Sequence, residues 1–331
     1  MLKKSLIAAT AALTMTAGAS VAEDIEIVFV GKNTGNPYFD SLTQGFVDAC
    51  EVIACTFEFV APATAEATSQ IPFLEAQIQR GVDVIAISPN SPDALNQVFD
   101  TAREAGILVL TVNGDITGNE DRRDATILPT DFTKVGADQV EMVGSLIGYE
   151  GEIAILSATT EAPDQNFWIE GMNETLANDP KYANMTLVAT VYGDDQPEKS
   201  TTEMEALLAN YPDLRGVIAP TTVGIAAAAQ VVQSRGIAEQ VKVTGLGLPS
   251  EMRDFIHDGT VEAFQLWSPY NQGWLVAHWA VGLNDGSMVN EVGATFEVPN
   301  LGTISIGENN SINTQSSLTT FDADNIDDFD F

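Results

Sequence analysis

From residue 25 onward the chain alternates short, predominantly apolar runs with longer segments whose apolar positions recur every three or four residues. Ile25 to Val30, Cys55 to Val60, Val82 to Ile87 and Ile107 to Val112 are rich in β-branched residues, the pattern of strands covered on both faces in a parallel sheet. Helical segments lie between them. Ser91-Pro92-Asp93 marks the clearest helix start, predicting an N-cap, a proline at the first helical position and an acid at the positive end of the dipole. Leu95, Val98, Phe99 and Ala102 then supply a buried stripe, and Gly106 a stop. The same alternation resumes with predicted strands at Glu152 to Leu156, Thr186 to Tyr192, Gly216 to Ala219 and Val241 to Leu246. Their helices are predicted at Gln165 to Ala177, Ser200 to Asn210, Gly224 to Arg235 and Ser250 to Asp258.

Two such runs predict an α/β protein built as two doubly wound parallel-sheet lobes. Connections near Thr126 to Asp131, near Trp267 and near Asn290 predict a hinge of three crossovers. That division assigns 23–128 and 267–290 to an N-terminal lobe, and 129–266 and 291–331 to a C-terminal lobe. The acidic end, Asn325 to Phe331, fits a solvated terminus, although Phe329 and Phe331 point to docking.

The first 22 residues break this pattern. Lys3 and Lys4 precede a short apolar stretch from Leu6 to Met15, and Ser20-Val21-Ala22 supplies small residues before a cut, so a signal peptide and export are expected. The remaining chain has no apolar run of the roughly 18 residues a membrane helix needs. A soluble, monomeric protein of the periplasm is the expectation.

Charge narrows the function. The 331 residues carry 14 Lys and Arg against 47 Asp and Glu, a formal net charge of −33, and a field of that sign repels phosphate backbones. Nucleic acid is excluded as a partner. The acidity fits either a saline habitat or ordinary solubility through net charge. Cys50 and Cys55 are the only cysteines, and in an oxidising compartment they are candidates for a disulfide, with two semi-buried thiols as the alternative. No metal site is expected, because the only histidines, His257 and His278, lie far along the chain from that pair.

Ligands of such sheets bind beyond the carboxyl ends of the strands. In the first lobe those ends carry Lys32, Asn36, Tyr38, Phe39, Asn90, Asn113 and Asp115; in the second, Asp164, Gln165, Trp168, Pro220, Thr221, Thr222 and Gly247, with Trp267 closing a further strand. Amides, carboxylates and hydroxyls can engage adjacent sugar hydroxyls in pairs while aromatic rings cover a C–H face. No Arg stands among them, so a neutral ligand is indicated over a carboxylate or phosphate. Each residue also has a plainer reading. Tyr38 and Phe39 continue a core stripe with Leu42 and Phe46, and Asp164 fits a helix-start acid. Lys32 fits a solvated charge, the Thr221-Thr222 pair fits a helix cap, and Trp168, Trp274 and Trp279 fit helical core spacing.

Enzyme signatures are absent. The chain has no Walker loop and no Gly-x-Ser-x-Gly elbow, and Gly245-Leu-Gly247-Leu-Pro249 reproduces only the opening of a dinucleotide fingerprint. No cofactor is expected.

The Asn36-Pro37-Tyr38-Phe39 turn resembles the ribose-binding group of type I periplasmic sugar-binding proteins, the capture components of ABC importers. Leu187 to Asp195, Ile218 to Ile225 and Val243 to Met252 resemble its rhamnose-binding branch. Lys32, Asp164, Gln165 and Pro220 match the motif of the neighbouring autoinducer-2 receptor branch, which Asp324 to Phe331 also resembles. Asn113 and Thr222 depart from that motif, where the branch has Asp and Ala, and the rhamnose-like branch tends to have Asn at the place of Asp164. The resemblance implies the type I periplasmic binding protein fold, capture of rhamnose or a similar deoxyhexose or pentose, and delivery to a membrane permease. Uptake of autoinducer-2 is the alternative. A secreted enzyme lacks its catalytic constellation here, and a sugar-responsive repressor of this fold would need a DNA-binding domain where the signal segment stands.

Overall fold

The computed structural model describes residues 24–331; the expected signal segment, 1–22, lies outside them. Five strands open the chain: β1 (Ile25–Val30), β2 (Cys55–Val60), β3 (Val84–Ile87), β4 (Leu108–Val112) and β5 (Ala125–Leu128). Helices α1 (Tyr38–Cys50), α2 (Ile71–Arg80) and α3 (Asn96–Glu104) connect the first four. A second series follows, with β6 (Glu150–Ser157), β7 (Asn184–Tyr192), β8 (Leu214–Ala219) and β9 (Lys242–Gly245). Its helices are α4 (Phe132–Ile147), α5 (Pro163–Asn178), α6 (Pro197–Asn210), α7 (Thr222–Arg235) and α8 (Pro249–His257). The chain then runs through β10 (Ala263–Leu266), α9 (Pro269–Asn284), the hairpin β11 (Thr295–Val298) and β12 (Gly302–Ser305), then β13 (Ser311–Asn313) and β14 (Thr319–Asp322).

Ten of the strands form two parallel sheets, ordered β13-β5-β4-β3-β1-β2 and β7-β6-β8-β9, and the other four pair antiparallel as β10-β14 and β11-β12. β3 and the last four residues of β4 are wholly buried, as unbroken apolar runs under helices on both faces should be. The sequence pattern and the architecture agree: this is an α/β protein with doubly wound lobes.

One helix start and two of the crossovers depart from the sequence expectation. Ser91 does cap, accepting from the Asp93 and Ala94 amides at 3.3 and 3.2 Å, but it closes a turn, and α3 starts only at Asn96. Asn119 accounts for the delay, because its amide donates to the Pro92 carbonyl and the Asp93 carboxylate and holds that turn against the loop after β4. Thr126 and Ile127, expected in a crossover, belong to β5 and pair with β4 and β13. Nor does the chain change lobes near Asn290. That residue's amide donates to the Asp124 carbonyl at 2.6 Å, and Ser311–Asn313 pairs with β5, so 291–313, expected in the C-terminal lobe, stays with the first sheet. The return comes at Thr314 and Gln315, whose amides donate to Leu128 and Pro129 beside the first crossover; β14 then pairs antiparallel with β10.

α9 lies along α1 at close range, since a Cβ on Gly45 or Gly273 would run into the backbone of the other helix. The acidic end docks through its aromatic rings: Phe329 and Phe331 sit edge-on to Phe321, and the Ser250 amide donates to the Phe331 carbonyl. Cys50 and Cys55 are bonded, with Cα atoms 4.9 Å apart, fastening the end of α1 to the start of β2. Replacing both by Ser frees a short loop in the unfolded chain and is expected to cost about 2 kcal/mol. A denaturant titration showing an unchanged midpoint would contradict that.

Candidate functional site

Lys32 follows β1 on a loop fixed from below. Gln70 donates to the Gly31 and Ser88 carbonyls, and Asn90 donates to the Lys32 carbonyl at 2.9 Å. Asn90 therefore supports the site from behind. Asn36 accepts from the Tyr38 amide at 3.1 Å, a local turn that begins α1 and aims Tyr38 and Phe39 toward the second lobe. Asn113 follows β4 in the left-handed region, at φ 68°, which asparagine tolerates better than most residues.

From the facing lobe, Asp164 and Gln165 occupy the first turn of α5, and Trp168 stands one turn on from Asp164 along the same face. Pro220, Thr221 and Thr222 follow β8 at the start of α7. Trp267 lies on the crossover between β10 and α9.

These groups meet. Lys32, Asn36, Tyr38, Phe39, Asn113, Asp164, Gln165, Trp168, Pro220, Thr221, Thr222 and Trp267 line one cavity of about 50 Å³ between the lobes, together with Asp195 and two leucines. Asp115, expected among the ligand contacts, is elsewhere. Both its oxygens are held by Arg123, at 2.7 and 2.5 Å, and it also accepts from Thr111; a buried guanidinium eight residues on is the better partner.

Asp195 was not among the expected site residues. It follows β7 in a pair of left-handed residues, Asp194 and Asp195 at φ 55° and 53°, and no hydrophobic period marks such a turn. It accepts a hydrogen bond from Thr221 Oγ1.

The charges of the cavity nearly cancel. Lys32 Nζ lies 2.7 Å from each oxygen of Asp164, with both side chains 5 % exposed. Burial pushes the Asp195 carboxyl above its ordinary range, with the Lys32 charge opposing. Burial also drives the Tyr38 phenol far above its usual value, so it is protonated. No Arg lines the cavity. An anionic ligand would meet one cation already matched by a carboxylate and a second carboxyl beside it.

The lobes touch across this space through Lys32 and Asp164, Asn36 and Thr222 at 3.3 Å, and Asn33 and the Asp195 carbonyl at 3.4 Å. Two buried polar atoms on its lining, Gln165 Oε1 and Trp168 Nε1, have no hydrogen-bond partner among the described residues. One accepts and the other donates, the complement a hydroxyl-bearing ligand offers. The ring of Trp168 packs near Trp267 and edge-on to Phe132, at centroid distances of 5.7 and 5.0 Å. Trp274 and Trp279 lie in the core, as their spacing suggested. Among the described residues, no group of side chains is suited to a metal ion, and no helix is long and apolar enough to cross a membrane.

The model of a periplasmic binding protein domain matches residues 27–287. A sugar ABC transporter protein from Actinomyces odontolyticus is 39 % identical, with a TM-score of 0.74, over 93 % of this chain and 98 % of that one. An ABC transporter solute-binding protein from Clostridium phytofermentas, solved with bound L-rhamnose, is 32 % identical, with a TM-score of 0.87, over 92 % and 97 %. A xylose/arabinose-binding protein from Sulfolobus acidocaldarius is 24 % identical over 266 residues, 76 % of this chain and 64 % of that protein. With a matching domain model, two relatives above 30 % identity over nine-tenths of the chain, and two facing lobes that enclose the cavity, this chain belongs to the periplasmic binding proteins and is a solute-binding protein, not an enzyme.

Proposed function

We propose that the protein captures a neutral monosaccharide, rhamnose or a similar deoxyhexose or pentose, between its lobes in the periplasm and delivers it to the membrane permease of an ABC importer. The observation that carries this reading is the cavity itself: charge-balanced, walled by Tyr38, Phe39, Trp168 and Trp267, and presenting an unpaired donor and acceptor at Trp168 and Gln165. Aromatic walls suit the C–H face of a ring, and paired polar groups suit its hydroxyls. The relative solved with L-rhamnose supports the sugar class. Because the Lys32–Asp164 bridge crosses the cavity, a sugar ring enters only when the lobes swing apart on their three crossovers and then reclose.

Autoinducer-2 is the second reading, favoured by Lys32, Asp164, Gln165 and Pro220 lining the same space. Thermal unfolding of protein refolded free of ligand, with L-rhamnose, ribose, autoinducer-2 and a sugar phosphate in turn, tests both. A ligand at 100 times its dissociation constant adds about 2.7 kcal/mol. The expected result is a raised midpoint with one neutral sugar and none with the sugar phosphate. A rise with autoinducer-2 alone moves the role to signal uptake, and a rise with the sugar phosphate alone overturns the neutral-ligand reading.

A further inference from the structure

The Tyr38 hydroxyl touches three side chains: Trp267 Nε1 at 2.7 Å, the Asn113 amide at 2.7 Å and Gln272 Oε1 at 3.0 Å. A phenol has one hydrogen to give and two lone pairs to receive. Indole N–H can only donate, so Trp267 fills one lone pair. Gln272 Nε2 donates to the Ile127 carbonyl at 2.8 Å, and that carbonyl can only accept, so the Gln272 amide is fixed with its oxygen toward the phenol. With Asn113 Oδ1 also toward the phenol, two acceptors compete for one hydrogen. One of them would then be left unsatisfied, and both Gln272 and Asn113 are buried, where an orphaned polar group is costly. A half turn of the Asn113 amide exchanges its oxygen and nitrogen in place. Every bond is then made: Trp267 and Asn113 donate to Tyr38, and Tyr38 donates to Gln272.

We propose that Gln272 is a specificity-positioning residue, which through Tyr38 turns the Asn113 carbonyl oxygen toward the cavity, so that the ligand must present a hydroxyl hydrogen there. The proposal rests on the reading of this cavity as the sugar site. Asn113 lines the cavity, and its second amide atom makes no hydrogen bond among the described residues. The consequence is a neutral group presenting the acceptor a carboxylate would present, beside a cavity whose charges already balance. A ligand bearing an ether oxygen, a ketone or a fluorine at that point would face an acceptor with an acceptor.

Neutron diffraction from deuterium-exchanged crystals of the unaltered protein, grown without sugar, reads the arrangement directly. Deuterium is expected on the Asn113 amide atom facing Tyr38, with the Tyr38 deuterium pointing to Gln272; deuterium on the cavity-facing atom of Asn113 overturns the proposal. This arm needs no ligand, so its failure is separate from failure of the sugar reading. Calorimetry with L-rhamnose and its monofluoro analogues supplies the functional arm. One analogue is expected to bind at least about tenfold more weakly than rhamnose to the unaltered protein. Gln272→Leu removes the acceptor that holds the Tyr38 hydrogen, lets the Asn113 amide reverse, and is expected to recover most of that loss. Equal losses in the two proteins, or no loss in either, contradict the assignment.

Discussion

Asp164→Asn is expected to weaken sugar binding about a hundredfold or more while leaving the unfolding midpoint of the ligand-free protein within a few degrees. Its two oxygens both lie 2.7 Å from Lys32 Nζ, and the pair is almost fully removed from solvent. Removing one partner of a buried pair typically costs 3–5 kcal/mol, because the other is left charged in a poorly polar site. Here the partners belong to different lobes. Opening the cleft returns Lys32 to water, so the cost falls on the closed form, and therefore on affinity, more than on the folding of either lobe. About 3 kcal/mol corresponds to about a hundredfold in the dissociation constant. Calorimetry together with thermal unfolding separates the two effects, and unaltered affinity in this variant would remove Asp164 from the binding cycle.

Trp267→Ala should act on both quantities. The ring is 3 % exposed, lies 5.7 Å from Trp168 and donates its N–H to Tyr38. Truncating a buried tryptophan costs roughly 3–5 kcal/mol of stability, and losing its face from the cavity costs about 1 kcal/mol or more in affinity. Trp267→Phe keeps an aromatic face and loses the hydrogen bond, so it should retain most of the affinity and still destabilise. Equal affinity for all three proteins would place the indole outside the ligand contacts.

Much of this site could be read from strand ends because parallel sheets put their functional loops there. β1 and β2 occupy the predicted residues, Ile25 to Val30 and Cys55 to Val60, but β2 is the sheet's edge strand and is not covered on both faces as expected, with Thr56, Glu58 and Phe59 exposed. β3 and β4 start later than predicted: Val82 and Ile107 are buried but lie before the ladders begin. β13 has three residues of which only Ile312 is buried, too short a signal to mark a strand, so no apolar run reveals that 311–313 joins the first sheet. Pairings between distant or competing groups were less legible still. Asp115 looks like a cleft carboxylate until Arg123 is folded against it, Asp195 depends on two left-handed residues, and Gln272 acts from inside a helix with no pattern to single it out.

The most direct measurement is a calorimetric titration of the ligand-free protein with L-rhamnose, ribose and autoinducer-2, followed by chemical recovery of whatever binds. One neutral sugar binding one to one and recovered unchanged is the result expected of a capture protein whose cavity holds a paired lysine and aspartate and no arginine. No binding of any neutral sugar, or recovery of an altered product, would contradict it.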